Sequence, residues 1–207
     1  AILEYVPTGL VIDPFTGSKI TRITGDAGGS IPGVSGTALW GSSSRPHYTH
    51  NPAYSAQEKR IYLIQDSGTN VATCILMDST FTPLWTNKSG SNYMAALDSV
   101  GGHIIFHPTI DSLAFGFIER KGTVRNKLIL FSHYTGIVNK SWLLPVGWAI
   151  NDSNTAAGWG FNGEGTVSDS GRFVAVSTTY DRCSGSSSCG TDPNVGHPDS
   201  VVVIDTF

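Results

Sequence analysis

Apolar residues fall in short runs along this chain, each ended by a polar, glycine-containing turn. Examples are Ile61-Tyr-Leu-Ile64, Val71-Ala-Thr-Cys-Ile-Leu-Met77, Lys127-Leu-Ile-Leu-Phe131 and Val201-Val-Val-Ile204. Runs of that length, rich in β-branched and aromatic residues and lacking a 3.6-residue period, predict strands.

The strands recur in a fixed order. Three segments share one grammar of short strand, polar turn of Ser-x-x-Gly-Lys type and apolar strand: Asn51 to Ile64, His103 to Phe117, and Gly163 to Val176. Aligned on the turn, Ser55, His107 and Ser168 are equivalent, which spaces the units as propeller blades are spaced. Further strands follow, Val71–Met77 and Thr82–Trp85 in the first unit, Lys127–Phe131 and Ile137–Leu144 in the second, Ser200–Asp205 in the third. The N-terminus carries Gly9-Leu-Val-Ile-Asp13, the turn Pro14-Phe-Thr-Gly17 and the strand Lys19–Thr24. Val203-Ile-Asp-Thr206 reads as the start of the same turn. The expected architecture is all-β, with blades of four antiparallel strands at about residues 1–24, 45–87, 93–145 and 159–207. A β-sandwich is the alternative, but it needs no recurring turn.

Ser168-Asp-Ser-Gly-Arg-Phe-Val-Ala-Val176 resembles the Ser-Pro-Asp-Gly-Lys-x-Ile-Ala-Phe signature of TolB-type, WD40-like propeller repeats. The segments from Ser55 and from His107 are weaker versions that lack the glycine. The resemblance implies a fold shared by transport accessory proteins, peptidases and polysaccharide lyases, and no single function. About three blades do not close a ring, so the expectation is part of a larger propeller, for example a seven-bladed one, or else assembly with other chains.

Composition narrows the partners. Charged residues make up 14% of the chain and the net charge is −3, which gives no reason to expect nucleic acid. No apolar stretch is long enough to span a membrane as a helix. The chain opens at Ala1-Ile-Leu without an initiator Met, as removal of a signal peptide or trimming would leave it. An exported protein, secreted, periplasmic or at the cell surface, is expected. Cys183 and Cys189 flank a Ser/Gly loop that a disulfide could close, whereas Cys74 sits in an apolar strand and reads as a buried thiol. Asn87, Asn139 and Asn151 begin glycosylation triplets.

Polar residues expected at the inner strands gather Arg45, His47, Tyr48, His50, Asn51, His103, Trp159, Asn162 and Glu164 toward one funnel. Histidine and tyrosine exchange protons near neutral pH, and arginine neutralises a carboxylate. β-Elimination on a uronic-acid polymer needs that set, with His50, His103, Arg45 and Tyr48 catalytic and the other five binding an acidic polysaccharide. Trp40, Tyr48, Tyr93 and Trp159 suit stacking on sugar rings. Propeller-fold polysaccharide lyases are the enzymes this arrangement resembles; a non-catalytic surface or assembly module is the competing expectation. No motif calls for a cofactor, although His47-x-x-His50 could ligate a divalent metal. Gly158–Gly165 lacks the Lys-Ser/Thr of a phosphate loop, and no Gly-x-Ser-x-Gly marks a serine hydrolase. His107 reads as structural, His133 and His197 as surface residues.

Overall fold

A computed structural model describes residues 9–34, 38–46, 53–65, 71–87, 94–96, 104–117, 127–144, 158–160, 167–179 and 201–207. Among the described residues thirteen strands form four antiparallel sheets. Sheet I is a hairpin of β1 (Gly9–Ile12) and β2 (Lys19–Arg22). Sheet II runs β3 (Ser44–Arg45), β4 (Arg60–Gln65), β5 (Cys74–Asp78), β6 (Pro83–Thr86). Sheet III runs β7 (Ile104–Phe106), β8 (Leu113–Phe117), β9 (Lys127–Ser132), β10 (Val138–Leu143). Sheet IV comprises β11 (Gly158–Gly160), β12 (Phe173–Thr179) and β13 (Val201–Asp205). Sheets II and III are therefore four-stranded meanders with their strands in sequence order. Among the described residues no helix is long and apolar enough to cross a membrane.

The sheets stack face against face, because their strands alternate apolar residues between two cores. On β4, Tyr62 and Ile64 face sheet III, while Ile61 and Leu63 pack with the stretch Ile31, Ala38 and Trp40 on the other side. On β9, Ile129 and Phe131 meet sheet II, and Leu128 and Leu130 meet Val174, Val176 and Ile204 of sheet IV. A strand covered on both faces reads as an unbroken apolar run, which is why the second and third strands stood out in the sequence. Cys74 is one such residue, its side chain fully buried in the core between sheets II and III.

The three repeated turns are equivalent in the backbone. Ser55, His107 and Ser168 donate their N–H to Arg60, Leu113 and Phe173. Gly171 supplies the left-handed residue of the third turn at φ 73°, and Glu58 takes the same conformation at φ 57°. The second turn has one more residue between its bonded ends and uses no left-handed residue at all. The glycine missing from the first two signatures is thus answered in two ways, by strain and by length.

These turns also join neighbouring sheets. Ser55 Oγ and the Gln57 N–H both donate to Asp111 Oδ1, and Tyr134 Oη donates to Asp111 Oδ2 at 2.7 Å. Burial, the largest single influence, pushes the Asp111 pKa up, but three donors on the one carboxylate together hold it below the usual carboxylate range. His133 is not at the surface as its outer-turn position implied. It is 0% exposed, stacked on Tyr134 and edge-on to Phe106, with Nε2 bonded to the Asp111 carbonyl. The turn folds back over the sheet and takes the ring inside. His107 is buried as expected, accepting the Ile110 N–H at Nδ1 and stacking on Phe115.

Candidate functional site

The first strands of sheets II and IV, β3 and β11, are short. Arg45 pairs with Ile64 and Tyr54 bridges Ile61. Gly160 pairs with Ser177 and Val167 bridges Val174. In sheet III the strands β7 and β8 pair without a break. Counting back from the turns equates Asn51, His103 and Glu164, all of which lie outside the described residues. Arg45 and Gly160 share one row, because Ile64 and Ser177 are both the fifth residue after the turn.

His47, Tyr48, His50, Asn51, Asn162 and Glu164 lie outside the described residues, as do His103, Tyr93, His197, Cys183 and Cys189. Strand β7 begins one residue after His103. The Trp159 backbone pairs with Thr178 in β11, on the row that Ser44 occupies in sheet II. Arg45 is exposed on β3.

Gln65 fixes Arg45 in place. Its buried amide oxygen accepts from Ser44 Oγ at 2.7 Å and from the Gly41 N–H at 2.8 Å, while its nitrogen donates to the Ala72 carbonyl at 2.6 Å. A buried amide satisfied on both sides holds the short β3 against β4 without an apolar anchor. Nothing in the local pattern marks Gln65 except that it ends the apolar run of β4 as a polar residue.

Beside β3 a cleft of about 370 Å³ opens between β2 and β4, lined by Ile20, Arg22, Ser44, Pro46 and Tyr54 among others. Arg22 is largely covered, donates to the Gly25 carbonyl at 2.7 Å and pairs with Asp26 at 2.8 Å. Tyr54 is half exposed. Neither residue was singled out from the sequence, because each becomes notable only when sheet I is laid against sheet II. Arg45 does not line this cleft: it pairs with Ile64, on the face of sheet II turned to sheet III, whereas Ser44, Ile61 and Leu63 line the cleft from the opposite face, and the Arg22 guanidinium in its wall is already paired with Asp26.

Other features are structural. Trp40, expected to stack on sugars, is buried against Gly25, where a Cβ would come within 2.5 Å of its ring. The open depression near Asp111 and Tyr134 lies at the turn end, and both Asp111 oxygens are already engaged. Asn87 donates its amide to Thr73 Oγ1 and accepts the Cys74 N–H, so its glycosylation would break the start of β5. Among the described residues no three His, Cys, Asp or Glu side chains gather to hold a metal ion. No protein-family model, curated protein or solved structure matches this chain.

Proposed function

We propose that the four sheets are successive blades of a β-propeller of the TolB type, and that the protein is exported and cleaves an acidic polysaccharide by β-elimination. The observation that carries this reading is Arg45, exposed on β3, the short first strand of sheet II, which the Ser44–Gln65 bond holds against β4. Arg45 pairs with the uronate carboxylate and stabilises the negative charge that develops when the neighbouring carbon loses its proton. His50 or His103 takes that proton. The electron pair forms the C4–C5 double bond, the bond from C4 to the glycosidic oxygen breaks, and Tyr48 returns a proton to the leaving oxygen. His47, Asn51, Trp159, Asn162 and Glu164 bind the flanking sugars.

Alanine substitution at Arg45, His50 and His103, assayed against a panel of polyuronides, tests the roles. Loss of about a hundredfold or more in turnover at Arg45 is expected. Unchanged turnover in all three variants rules the reading out. The competing function, a non-catalytic assembly module, is favoured by a different observation, the uncovered apolar positions on the outermost sheets.

A further inference from the structure

Three Asn-x-Ser triplets begin at Asn87, Asn139 and Asn151, and the fold treats the first two in opposite ways. Asn87 is built into sheet II. Its side-chain nitrogen donates to Thr73 Oγ1 at 2.6 Å and its oxygen accepts the Cys74 N–H at 3.3 Å, so a sugar on that nitrogen would compete with the bonds that start β5. Asn151 lies outside the described residues.

Asn139 stands in the open. It lies on β10, the last strand of sheet III, whose outer edge pairs with no other strand among the described residues. Val138 pairs with Phe131 and Lys140 with Leu130, so Asn139 is the extra residue of a bulge and has no partner across the ladder. Asn139 is exposed, as is Ser141, which completes the triplet. Lys140 between them turns to sheet IV, where Nζ donates to the Thr206 carbonyl at 2.7 Å, and Trp142 packs in the core on that side. The strand is thus anchored through Lys140 and Trp142, and an enzyme can reach Asn139 and Ser141 without disturbing either anchor.

We propose that Asn139 is an N-glycosylation site and that Asn87 is not. The donor is an oligosaccharide carried on a lipid pyrophosphate. The bond from Asn139 Nδ2 to the anomeric carbon forms, the bond from that carbon to the pyrophosphate oxygen breaks, Nδ2 gives up one proton, and the lipid pyrophosphate leaves. The surroundings suit a glycan. Ile137, Val138 and Leu143, on and beside β10, are 64%, 45% and 75% exposed, and an open edge strand that carries apolar side chains is a template for pairing with other chains. A bulky, hydrated glycan in the middle of that stretch blocks such pairing. It also leaves the other side of the sheet clear, because β7 lies three strands from β10, about 14 Å at the usual spacing between strands. The inference rests on the exported reading above and is independent of the lyase chemistry.

Peptide mapping tests this. Protein purified from its source is treated in heavy-oxygen water with an amidase that removes N-glycans and turns each linked asparagine into aspartate, so every occupied site is marked in its peptide. The mark is expected at Asn139 and not at Asn87. A native protein bare at Asn139, or marked at Asn87, overturns the proposal. The chain is also secreted from a eukaryotic cell behind an added signal peptide. There S141A should lose one glycan and S141T should keep it, because threonine also completes the triplet. An S141A protein with the glycan mass of the wild type overturns the assignment to Asn139. A chain marked at Asn139 in that host, yet bare and intracellular in its source, overturns the proposal through the failure of the exported reading, whereas one bare in both overturns it through Asn139 itself.

Discussion

Gly171 lies so close to His107 that a Cβ on the glycine would stand 2.2 Å from the imidazole. The contact joins the repeated turns of sheets III and IV, just as Ser55 and Asp111 join those of sheets II and III. Gly171 is therefore required twice, for φ 73° and for the ring packed against it. G171A is expected to cost about 3 kcal/mol through the forced displacement of a buried ring added to backbone strain. Gly17 has φ 70° but nothing within 4 Å, so G17A should cost only about 1 kcal/mol. Urea unfolding of the two variants separates the contact from the conformation.

Glu58 occupies the left-handed position that Gly171 fills in the third turn, and its side chain is exposed. E58G should stabilise the protein by about 1 kcal/mol, because glycine adopts that conformation without a Cβ clash. A fall in the urea midpoint would show that the exposed glutamate makes a compensating interaction.

Asp111 binds two sheets through one carboxylate. D111A and S55A should each destabilise by about 1–3 kcal/mol, and the double variant should cost less than their sum by about 1 kcal/mol. Strict additivity in that cycle would mean that the Ser55–Asp111 bond contributes nothing.

Burial lowers His133 to about 4 from an ordinary 6.5, and burial also lowers His107. The unfolded chain takes up these protons at a higher pH than the folded one, so folding stability falls as pH drops from 6.5 toward 4. For His133 the loss reaches about 3 kcal/mol once both states are protonated. Asp13, Asp78, Asp111 and Asp205 are held below the usual carboxylate range, largely by hydrogen bonds for the exposed ones, and their contribution is lost at still lower pH. Urea unfolding at a series of pH values should show this fall, and H133Q should flatten the part between pH 5 and 6.5.

The sheets were legible in the sequence because residues such as Ile75, Leu76 and Leu128 to Phe131 are buried on both faces and so form continuous apolar runs. The equivalence of Ser55, His107 and Ser168 was legible too, since a turn is a local event. Register was not. That Arg45 and Gly160 share a row follows only from their pairing with Ile64 and Ser177, residues well apart from them along the chain. Burial of His133 and Trp40 escaped for a related reason: each is covered by segments distant in sequence, and a polar or aromatic residue in a turn carries no local sign of what folds over it. Of the candidate site, Arg45 could be named from the sequence, whereas Arg22 and Tyr54 become notable only when sheet I is laid against sheet II, and Gln65 only through its bonds to Ser44, Gly41 and Ala72.

The most direct test of the functional account is the chemistry of the cut. Purified protein is incubated with polyuronides in heavy-oxygen water, and the fragments are weighed by mass spectrometry. The account predicts new non-reducing ends that carry a C4–C5 double bond and no heavy oxygen, with their yield lost in R45A. Fragments whose new non-reducing ends are saturated, or no cleavage of any polyuronide, would contradict it.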